Sequence, residues 1–548
     1  MKTTYKFLFT ALLAAFMMLT HAACDQVADD ESDFEYNADL INQHMEADVT
    51  FNERYRPQFH FTPRINWMND PNGLVYYEGR YHLFFQYNPF GNRWGYMSWN
   101  HAVSDDMVHW EHRPVAIPYG KEEEEGIFSG GALVDHNNTS GFGDGDRAPI
   151  IATYTSHYTR EDGSTWQAQS LAYSNDGGDT FTKYEGNPVL EFDDPDFRDP
   201  NVMWDEEREQ WVMVVALPRQ YKVQFYASDN LIDWEFLSDF GPEGAYDGIW
   251  ECPDLFPLAV DGDPNNIKWV LHVDINPGAI AGGSGSQYFV GEWNGTEFIP
   301  DESISGGEVI WADYGTDFYA AITWNNIPED DGRRMWVGWM NNWKYANEIP
   351  TYPWRSAQSI PRSLHLETIN DNIKVIQRPV EELQALRENH VSVENINVTE
   401  GTLSLEDSGL SGKAYEFVVE LDPGDSDVVG FSLRSGADEE TLVGYDATAG
   451  TVYVDRTNSG EDGFHEEFAQ RNDAPANLKN GKIKLHVFVD WSSVEVFVND
   501  GEAVITNRIF PDPDSQGISL FAEGGNASAD KLDFWTLKSI WGNESLNQ

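Results

Sequence analysis

The chain has 548 residues, more than one hydrophobic core usually organises, so its length predicts at least two domains. Aromatic residues make up 14% of the sequence and predict a large folded protein rather than a disordered one. Asp and Glu outnumber Lys and Arg by 92 to 35, a formal net charge of −57. This charge disfavours nucleic acid and anionic membranes as partners, whereas a neutral carbohydrate fits it.

The N-terminus has the pattern of an export signal. Two lysines precede an apolar run over residues 7–19, which is too short to span a bilayer, so we predict a signal peptide over residues 1–23. The Ala-Ala-Cys sequence ending at Cys24 resembles a bacterial lipoprotein processing site. It predicts a lipid anchor at the cell surface or in the periplasm, with plain secretion as the alternative. Residues 24–55 are acidic and predict a solvated tether.

From about Arg56 to Glu367, short apolar runs alternate with turns rich in Gly, Asn, Asp and Pro, which predicts β-strands. The runs form five similar units of about four strands. The units begin near Asp70-Pro71, Phe128-Ser129, Asp199-Pro200, Glu251-Cys252 and Asp317-Phe318. Repeats of this kind predict a five-bladed β-propeller over residues 56–375.

The remainder of the chain also predicts strands. A short helical pattern predicts a linker helix over residues 376–390. Alternating apolar and polar residues follow, as in 414–421 and 484–490, and predict a β-sandwich over residues 391–548. The predicted fold class is therefore all-β, a five-bladed β-propeller followed by a C-terminal β-sandwich.

Three acidic residues stand where a predicted unit begins: Asp70, Asp199 and Glu251. The first strand of each propeller blade lines the central channel, so these side chains should converge. Carboxylates that share a partly dehydrated site bind a metal or perform acid/base chemistry. The sequence Asp-Pro-Asn-Gly at 70–73 by itself predicts a turn, which would place Asp70 at the mouth of a strand.

Around these acids lie three motifs, WMNDPNG at 67–73, FRDP at 197–200 and WECPD at 250–254. They resemble the motifs of glycoside hydrolase family 32, the invertases, inulinases and levanases. The resemblance continues to residues 353–355 and into the predicted sandwich, and so covers nearly the whole mature chain. Asn100 and Gly131 depart from the family pattern, and these departures bear on the shape of the outer pocket.

The resemblance implies hydrolysis of β-fructofuranosidic bonds in levan, inulin or sucrose, with retained configuration and exo action on fructans. It implies that Asp70 is the nucleophile, Glu251 the general acid/base and Asp199 the stabiliser of the transition state. Retaining hydrolysis needs one ionised carboxylate and one protonated carboxyl. Two ionised neighbours would favour a proton on the third acid, which suits Glu251.

The resemblance also implies a fructosyl pocket made of amide, guanidinium, hydroxyl and indole groups, types that suit the hydroxyls and apolar faces of a furanose. Its expected substrate-binding residues are Trp67, Asn69, Gln86, Trp94, Phe128, Ser129, Arg198, Asp317 and Trp343. No cofactor or metal is expected, because the acidic turns at 193–196 and 261–263 do not follow a calcium-loop pattern. Cys252 is expected to be a buried contact rather than a nucleophile.

Three alternatives stay open at the level of sequence. An inverting five-bladed pentosidase would also use three carboxylates but needs a wider gap for a water molecule. A fructosyltransferase would pass the same intermediate to an acceptor sugar. A non-catalytic glycan-binding lipoprotein is the third, although it would not need all three acids.

Overall fold

The structure is a computed structural model that describes residues 36–121, 124–145, 147–160, 162–305 and 307–541. The predicted signal peptide and Cys24 lie outside these residues. The prediction of an all-β fold is confirmed, because strands dominate the described chain and helices are limited to short turns. Among the described residues, none of the helices has the length and apolar character needed to cross a membrane.

The N-terminal part forms five sheets whose strands follow one another along the chain. The first contains β1 (Asn66–Tyr77), β2 (Arg80–Asn88), β3 (Ser98–Ser104) and β4 (Trp110–Ile117). The second contains β5 (Glu125–Val134), β6 (Ile150–Thr159), β7 (Thr165–Ser174) and β8 (Thr182–Lys183). The third contains β9 (Arg198–Asp205), β10 (Gln210–Leu217), β11 (Lys222–Ser228) and β12 (Glu235–Phe240). The fourth contains β13 (Ile249–Ala259), β14 (Ile267–Asn276), β15 (Gly285–Trp293) and β16 (Phe298–Pro300). The fifth contains β17 (Tyr319–Thr323), β18 (Arg334–Trp339), β20 (Arg362–Ile369) and β21 (Asn372–Pro379). The short strand β19 (Trp354–Arg355) lies between β18 and β20 in the chain but pairs in parallel with β1 and so joins the first sheet.

The first strands of these sheets form a closed ring. Each of β1, β5, β9 and β13 contacts the next, and β17 contacts β1. Asn325 ties several of them at one end: its N–H donates to the carbonyl oxygen of Leu74 (2.9 Å), and its side-chain amide donates to those of Ala132 (2.8 Å) and Val202 (3.2 Å). The starts of the first strands therefore meet at the opposite end of the ring.

The C-terminal part follows a 3₁₀ helix at Glu381–Leu386 and contains two six-stranded sheets. Their strands are β22 (Arg387–Val398), β23 (Gly401–Ser404), β24 (Tyr415–Asp422), β25 (Val428–Ser435), β26 (Glu440–Asp446), β27 (Thr451–Asn458), β28 (Arg471–Pro475), β29 (Ile483–Asp490), β30 (Ser493–Val498), β31 (Ala503–Arg508), β32 (Gly517–Glu523) and β33 (Ala527–Leu537). Inward side chains of both sheets, such as Phe417 and Phe431, share one core, as in a β-sandwich. The other short helices are Ala38–Leu40, Gln43–Glu46, Pro218–Gln220, Glu302–Ser305 and Glu406–Ser408.

The predicted acidic tether over 24–55 extends too far. Phe51 is buried and stacks on Trp541 with 4.3 Å between ring centroids. Arg64 Nε donates to the carbonyl oxygen of His44 (2.9 Å), and His44 itself is buried. These buried side chains anchor the segment despite its acidic composition, because burial of aromatic surface is favourable.

Buried charges join the C-terminal sheets to the rest of the protein, and we call this group the interdomain charge network. Arg362 Nη1 lies 3.0 Å from Asp313 Oδ2, and its Nη2 lies 2.6 Å from Glu495 Oε2. His60 bridges Glu495 (2.9 Å) and Asp490 (2.8 Å). Burial opposes ionisation of Glu495, but Arg362 and His60 outweigh it and lower the pKa of this carboxyl.

Candidate active site

Asp70 lies within a strand and not at a turn. Strand β1 is continuous from Asn66 to Tyr77, and its pairing with β2 is interrupted by two register shifts, one before Pro71 and one after Asn72. The predicted turn at 70–73 is therefore wrong. Pro71 has no N–H for the ladder and Gly73 has φ +52, so the same residues that favour turns here form bulges within a strand. A Cβ on Gly73 would also lie 2.8 Å from side-chain atoms of Phe84 and Trp99.

The other two acids are presented by similar irregularities. Asp199 precedes Pro200 at the start of β9 and has φ +64, and Cys252 precedes Pro253 in β13 with φ +47. The pairing of β13 with β14 shifts between Glu251 and Asp254. Bulges change the direction in which side chains point. In all three strands they occur at the acid, whose side chain therefore departs from the regular alternation between the two faces of the sheet.

The three acids meet in one cluster. Cys252 Sγ lies 3.7 Å from Asp70 Oδ2 and 3.8 Å from Asp199 Oδ2. Arg198 Nη2 lies 3.0 Å from Glu251 Oε1, and Arg198 Nε lies 3.9 Å from Asp199 Oδ2. Carboxyl groups from the first, third and fourth sheets therefore converge at the starts of their strands.

Asp70 is buried and held by two donors. Ser129 Oγ donates to its Oδ2 (2.6 Å) and Asn69 Nδ2 donates to its Oδ1 (2.9 Å). Trp67 Nε1 in turn donates to Asn69 Oδ1 (2.7 Å), which fixes the orientation of that amide. Burial raises the pKa of Asp70, assisted by nearby Glu251, while the bonds from Ser129 and Asn69 act in the opposite direction.

Asp199 is also buried. Its Oδ2 accepts the backbone N–H of Cys252 (3.0 Å), and its own N–H donates to Thr155 Oγ1 (2.9 Å). Burial raises the pKa of Asp199 to about 7; Glu251 and Asp70 add to this effect, while Arg198 opposes it. The two aspartates therefore experience mutual repulsion that the site does not fully neutralise.

Glu251 has different surroundings. Its side chain is 17% exposed, against 7% for Asp199, so it lies nearer to solvent. Arg198 donates to Oε1 through Nε (3.1 Å) and Nη2 (3.0 Å), and the hydroxyl of Tyr319 donates to Oε2. Both oxygens of Glu251 are therefore oriented by neighbours from other sheets. Tyr319 was not among the predicted site residues, although it lies two positions after Asp317.

A fourth carboxyl, Asp274, lies behind the cluster and was also missed. It is fully buried, pairs directly with Glu251 across β13 and β14, and accepts a hydrogen bond from Ser286 Oγ. Burial raises the pKa of Asp274 well above the usual value, and Asp70, Glu251 and Asp199 reinforce the shift. The available signal was the pair of polar residues, His272 and Asp274, within the otherwise apolar run over 269–275.

Most of the predicted binding residues gather around the acids. Trp67 is buried and stacks on Trp343 with 5.9 Å between ring centroids. Trp94 is 45% exposed and contacts Phe128 edge to face at 5.9 Å, so it lies at the rim. Gln86 is buried beneath the site, where its amide donates to the carbonyl oxygen of Ile127 (2.9 Å).

The side chain of Asp317, which the resemblance places in the fructosyl pocket, is hydrogen-bonded to the C-terminal sheets. It is fully buried against the C-terminal sheets, where Arg456 Nη1 lies 2.6 Å from its Oδ2 and Tyr345 donates to its Oδ1 (2.7 Å). Ala320 has φ +55, and the pairing of β17 with β18 shifts between Tyr319 and Ile322. This irregularity leaves the next polar side chain, that of Tyr319, to reach the acids.

Cys252 is buried beside two aspartates. Burial raises the pKa of its thiol well above the usual value, and Asp199 and Asp70 strengthen the effect. A thiol held in this form is a poor nucleophile, in agreement with the expected role as a buried contact. Among the residues that the structure describes, no group of three or more His, Cys, Asp or Glu side chains is arranged to hold a metal ion.

A buried aspartate and a more exposed glutamate in one cluster are the pair of carboxyl groups that a glycoside hydrolase uses. The sequence profile of the glycosyl hydrolases family 32 N-terminal domain matches residues 60–379, and that of the family 32 C-terminal domain matches residues 382–536. The chain belongs to glycoside hydrolase family 32, whose architecture is a β-propeller followed by a β-sandwich.

Similar proteins extend over most of the chain. A levanase of Bacillus subtilis (strain 168) is 49% identical over 512 residues, which cover 92% of this chain and 74% of the levanase. An extracellular exo-inulinase of Aspergillus awamori is 42% identical over 521 residues, which cover 90% of this chain and 96% of that protein.

Solved structures show the same similarity. A crystal structure of exo-inulinase from Aspergillus awamori has a TM-score of 0.84 and 40% identity, with 90% of this chain and all of that chain (100%) covered. A fructofuranosidase from Schwanniomyces occidentalis complexed with fructose has a TM-score of 0.80 and 32% identity, with 90% and 100% covered.

Proposed function

We propose that this enzyme releases fructose from β-fructofuranosides, namely levan, inulin and sucrose, by exo-acting hydrolysis that retains the anomeric configuration. The observation that carries the proposal is the convergence of Asp70, Asp199 and Glu251 around Cys252 and Arg198. The levanase and exo-inulinase names of the relatives support the substrate class.

Asp70 is the nucleophile. Its carboxylate attacks the anomeric carbon of the fructosyl unit as the bond to the leaving oxygen breaks, which forms a covalent fructosyl-enzyme. The donors Ser129 and Asn69 favour the ionised form of Asp70 that this step needs. They also aim its oxygens, because Asn69 is itself fixed by Trp67.

Glu251 is the general acid and then the general base. It gives its proton to the leaving oxygen, and in the second step it takes a proton from the water that attacks the intermediate, which restores the starting enzyme. The greater exposure of Glu251 suits this role, since leaving group and water both approach from solvent. Arg198 and Tyr319 orient its two oxygens.

Asp199 stabilises the transition state. Its position beside Asp70 lets it accept hydrogen bonds from fructosyl hydroxyls, which strengthen as positive charge develops on the ring. Trp67 and Trp343 supply apolar surface, and Trp94 with Phe128 forms the rim where the rest of a fructan would leave the pocket. The pentosidase, fructosyltransferase and non-catalytic binding alternatives are not favoured by the named relatives.

The five sheets are the five blades of the propeller in this proposal. The closed contacts among first strands and the pairing of β19 with β1 support it. The domain boundary falls near residue 380, between the two family matches, and the sandwich follows. The chain is exported, and Cys24 carries the lipid anchor of a cell-surface or periplasmic lipoprotein.

The test is fructose release from levan, inulin and sucrose by the wild type, Asp70→Asn and Glu251→Gln. Loss of the nucleophile should lower kcat by several orders of magnitude, and loss of the acid/base group by about 10² to 10⁴. Asp105→Asn, at a side chain that is 81% exposed, is the matched control and should keep full activity. NMR of the first product should show the retained anomer. Near-normal activity of either variant, or an inverted product, would refute the assignment.

A further inference from the structure

We propose that the C-terminal sandwich is part of the catalytic machinery, with Arg456 as a positioning residue that holds two walls of the active site. The residues involved are Arg456 of β27, Asp317 before β17 and Tyr345 after β18. This inference rests on the proposed roles of Glu251 and Asp70.

The three side chains form a closed triangle of hydrogen bonds. Arg456 Nη1 donates to Asp317 Oδ2 (2.6 Å) and Arg456 Nη2 donates to the hydroxyl oxygen of Tyr345 (2.9 Å). The hydroxyl of Tyr345 donates to Asp317 Oδ1 (2.7 Å). The charged partners are fully buried, so the bonds form in a low-dielectric setting where geometry is strongly fixed.

The backbone of β31 reinforces the triangle. The N–H of Arg508 donates to Asp317 Oδ2 (2.8 Å), and the N–H of Asp317 donates to the carbonyl oxygen of Thr506 (3.1 Å). The N–H of Tyr314 donates to the carbonyl oxygen of Val504 (2.8 Å). The approach to β17 is thus hydrogen-bonded to an edge strand of the sandwich.

The first wall is the segment that connects Asp317 with Tyr319 and, through Tyr319, with the acid/base residue Glu251. Two residues further along, Tyr319 donates its hydroxyl to Glu251 Oε2. Tyr319 pairs with Trp339 at the start of β17, and the strand becomes irregular directly after it, at the left-handed residue Ala320. The anchored position of Asp317 sets where the Tyr319 hydroxyl lies.

The second wall leads from Tyr345 to the nucleophile. Trp343, two residues earlier, stacks on Trp67, whose indole N–H donates to Asn69, the amide that donates to Asp70. Asn342 in the same loop donates to the carbonyl oxygen of Thr316 (2.7 Å), which joins this loop to the first wall. A single guanidinium from the sandwich therefore orders both sides of the cluster.

Stability alone does not account for the arrangement. Buried ion pairs are often replaceable by apolar residues at no cost in stability, which is compatible with a role of this pair in geometry. Another contact to the sandwich, Tyr55 to Glu461 Oε2 (3.1 Å), belongs to the same aromatic cluster as Tyr345 but has no such connection to the acids.

The test compares Tyr345→Phe with Tyr55→Phe. Each variant removes one tyrosine hydroxyl bonded across the same interface, and Tyr345→Phe leaves Arg456 and Asp317 paired. We expect Tyr345→Phe to lower kcat on sucrose about 10-fold with less than about a 2-fold change in KM. Tyr55→Phe should lower Tm similarly but keep kcat. Arg456→Lys, which keeps the charge but loses the two-point contact, should lower kcat at least as much.

Hydrogen exchange supplies a readout that does not depend on turnover. Peptides covering 317–323 and 340–346 should exchange faster in Tyr345→Phe than in Tyr55→Phe. Unchanged exchange in those peptides, unchanged kcat in Tyr345→Phe, or an equal loss of kcat in Tyr55→Phe overturns the inference. Absence of fructose release by the wild type would instead overturn the proposed function, and the exchange comparison would still decide the positioning role.

Discussion

Two buried groups of charges in this protein are built on opposite principles. In the active site, Asp70, Asp199 and Asp274 crowd together and burial raises the pKa of each. In the interdomain charge network, carboxylates alternate with Arg362 and His60, and the pKa of Glu495 is lowered, although burial still raises that of Asp313. The protein thus tolerates unfavourable charge where chemistry needs it and pairs charge where two domains must be held together.

The largest expected effect comes from breaking the paired group. Arg362→Met removes the cation shared by Asp313 and Glu495 and leaves both carboxyls buried. We expect the free energy of unfolding to fall by about 3 to 5 kcal/mol, since an unpaired buried charge is costly. Urea unfolding of the wild type and the variant measures this.

Lys222→Met is the matched control, because it removes an exposed ion pair with Asp239 (2.7 Å) by the same kind of substitution. It should cost less than about 1 kcal/mol. A similar cost for the two substitutions would show that the interdomain charge network does not contribute as inferred.

The next expected effect is the change in stability when a buried acid is replaced by its amide, and this change has opposite signs in the two groups. The folded-state pKa of Asp199 is raised to about 7, so the folded protein binds a proton that the unfolded chain releases near pH 4, and stability is lost as the pH rises between these values. Asp199→Asn removes this loss, and asparagine tolerates the φ of +64. The variant should be more stable than the wild type at pH 7 by up to about 4 kcal/mol, with little difference at pH 4.

Glu495→Gln should behave in the opposite way. Its lowered pKa contributes stability above the unfolded value of about 4.5 that is lost as the pH falls. The variant should therefore be less stable than the wild type at pH 7, and the deficit should shrink toward pH 3. Thermal unfolding across pH 3 to 8 checks both variants, and equal signs for the two would contradict the comparison.

The smallest expected effect is a change in the pKa of Asp70, within the active-site group of acids. Ser129→Ala removes a donor that lowers the pKa of Asp70, so that pKa should rise further. The acid limb of the pH profile of kcat/KM should move to higher pH, and kcat/KM at neutral pH should fall about 10-fold. Ser140→Ala also removes a buried serine hydroxyl bonded to a carboxylate, that of Asp135 (2.7 Å), and should leave the limb in place. An acid limb that does not move in Ser129→Ala would show that Ser129 does not lower the pKa of Asp70.

Local sequence anticipated the three acids because each stands at the start of an apolar run, with a proline directly after Asp70 and Asp199 and two residues after Glu251. It misjudged residues 70–73, since Asp, Pro, Asn and Gly favour turns and bulges alike, and only the pairing of β1 with β2 distinguishes them. The family resemblance assigned Asp317 to the pocket, whereas Tyr319 was not singled out, because the irregularity at Ala320 is not visible in the alternation of residue types.

The sequence by itself determined the all-β class and the repeated units, because alternation and turn residues act over a few positions and survive without knowledge of their partners. It also singled out the acids and, through the motifs, the family. Only the tertiary structure decided which carboxyl is paired and which is crowded, since Asp317 meets Arg456 from 139 residues away and Glu251 meets Asp274 across a strand pair. Charge state and proton affinity depend on burial and on such distant neighbours, and those are properties of the fold.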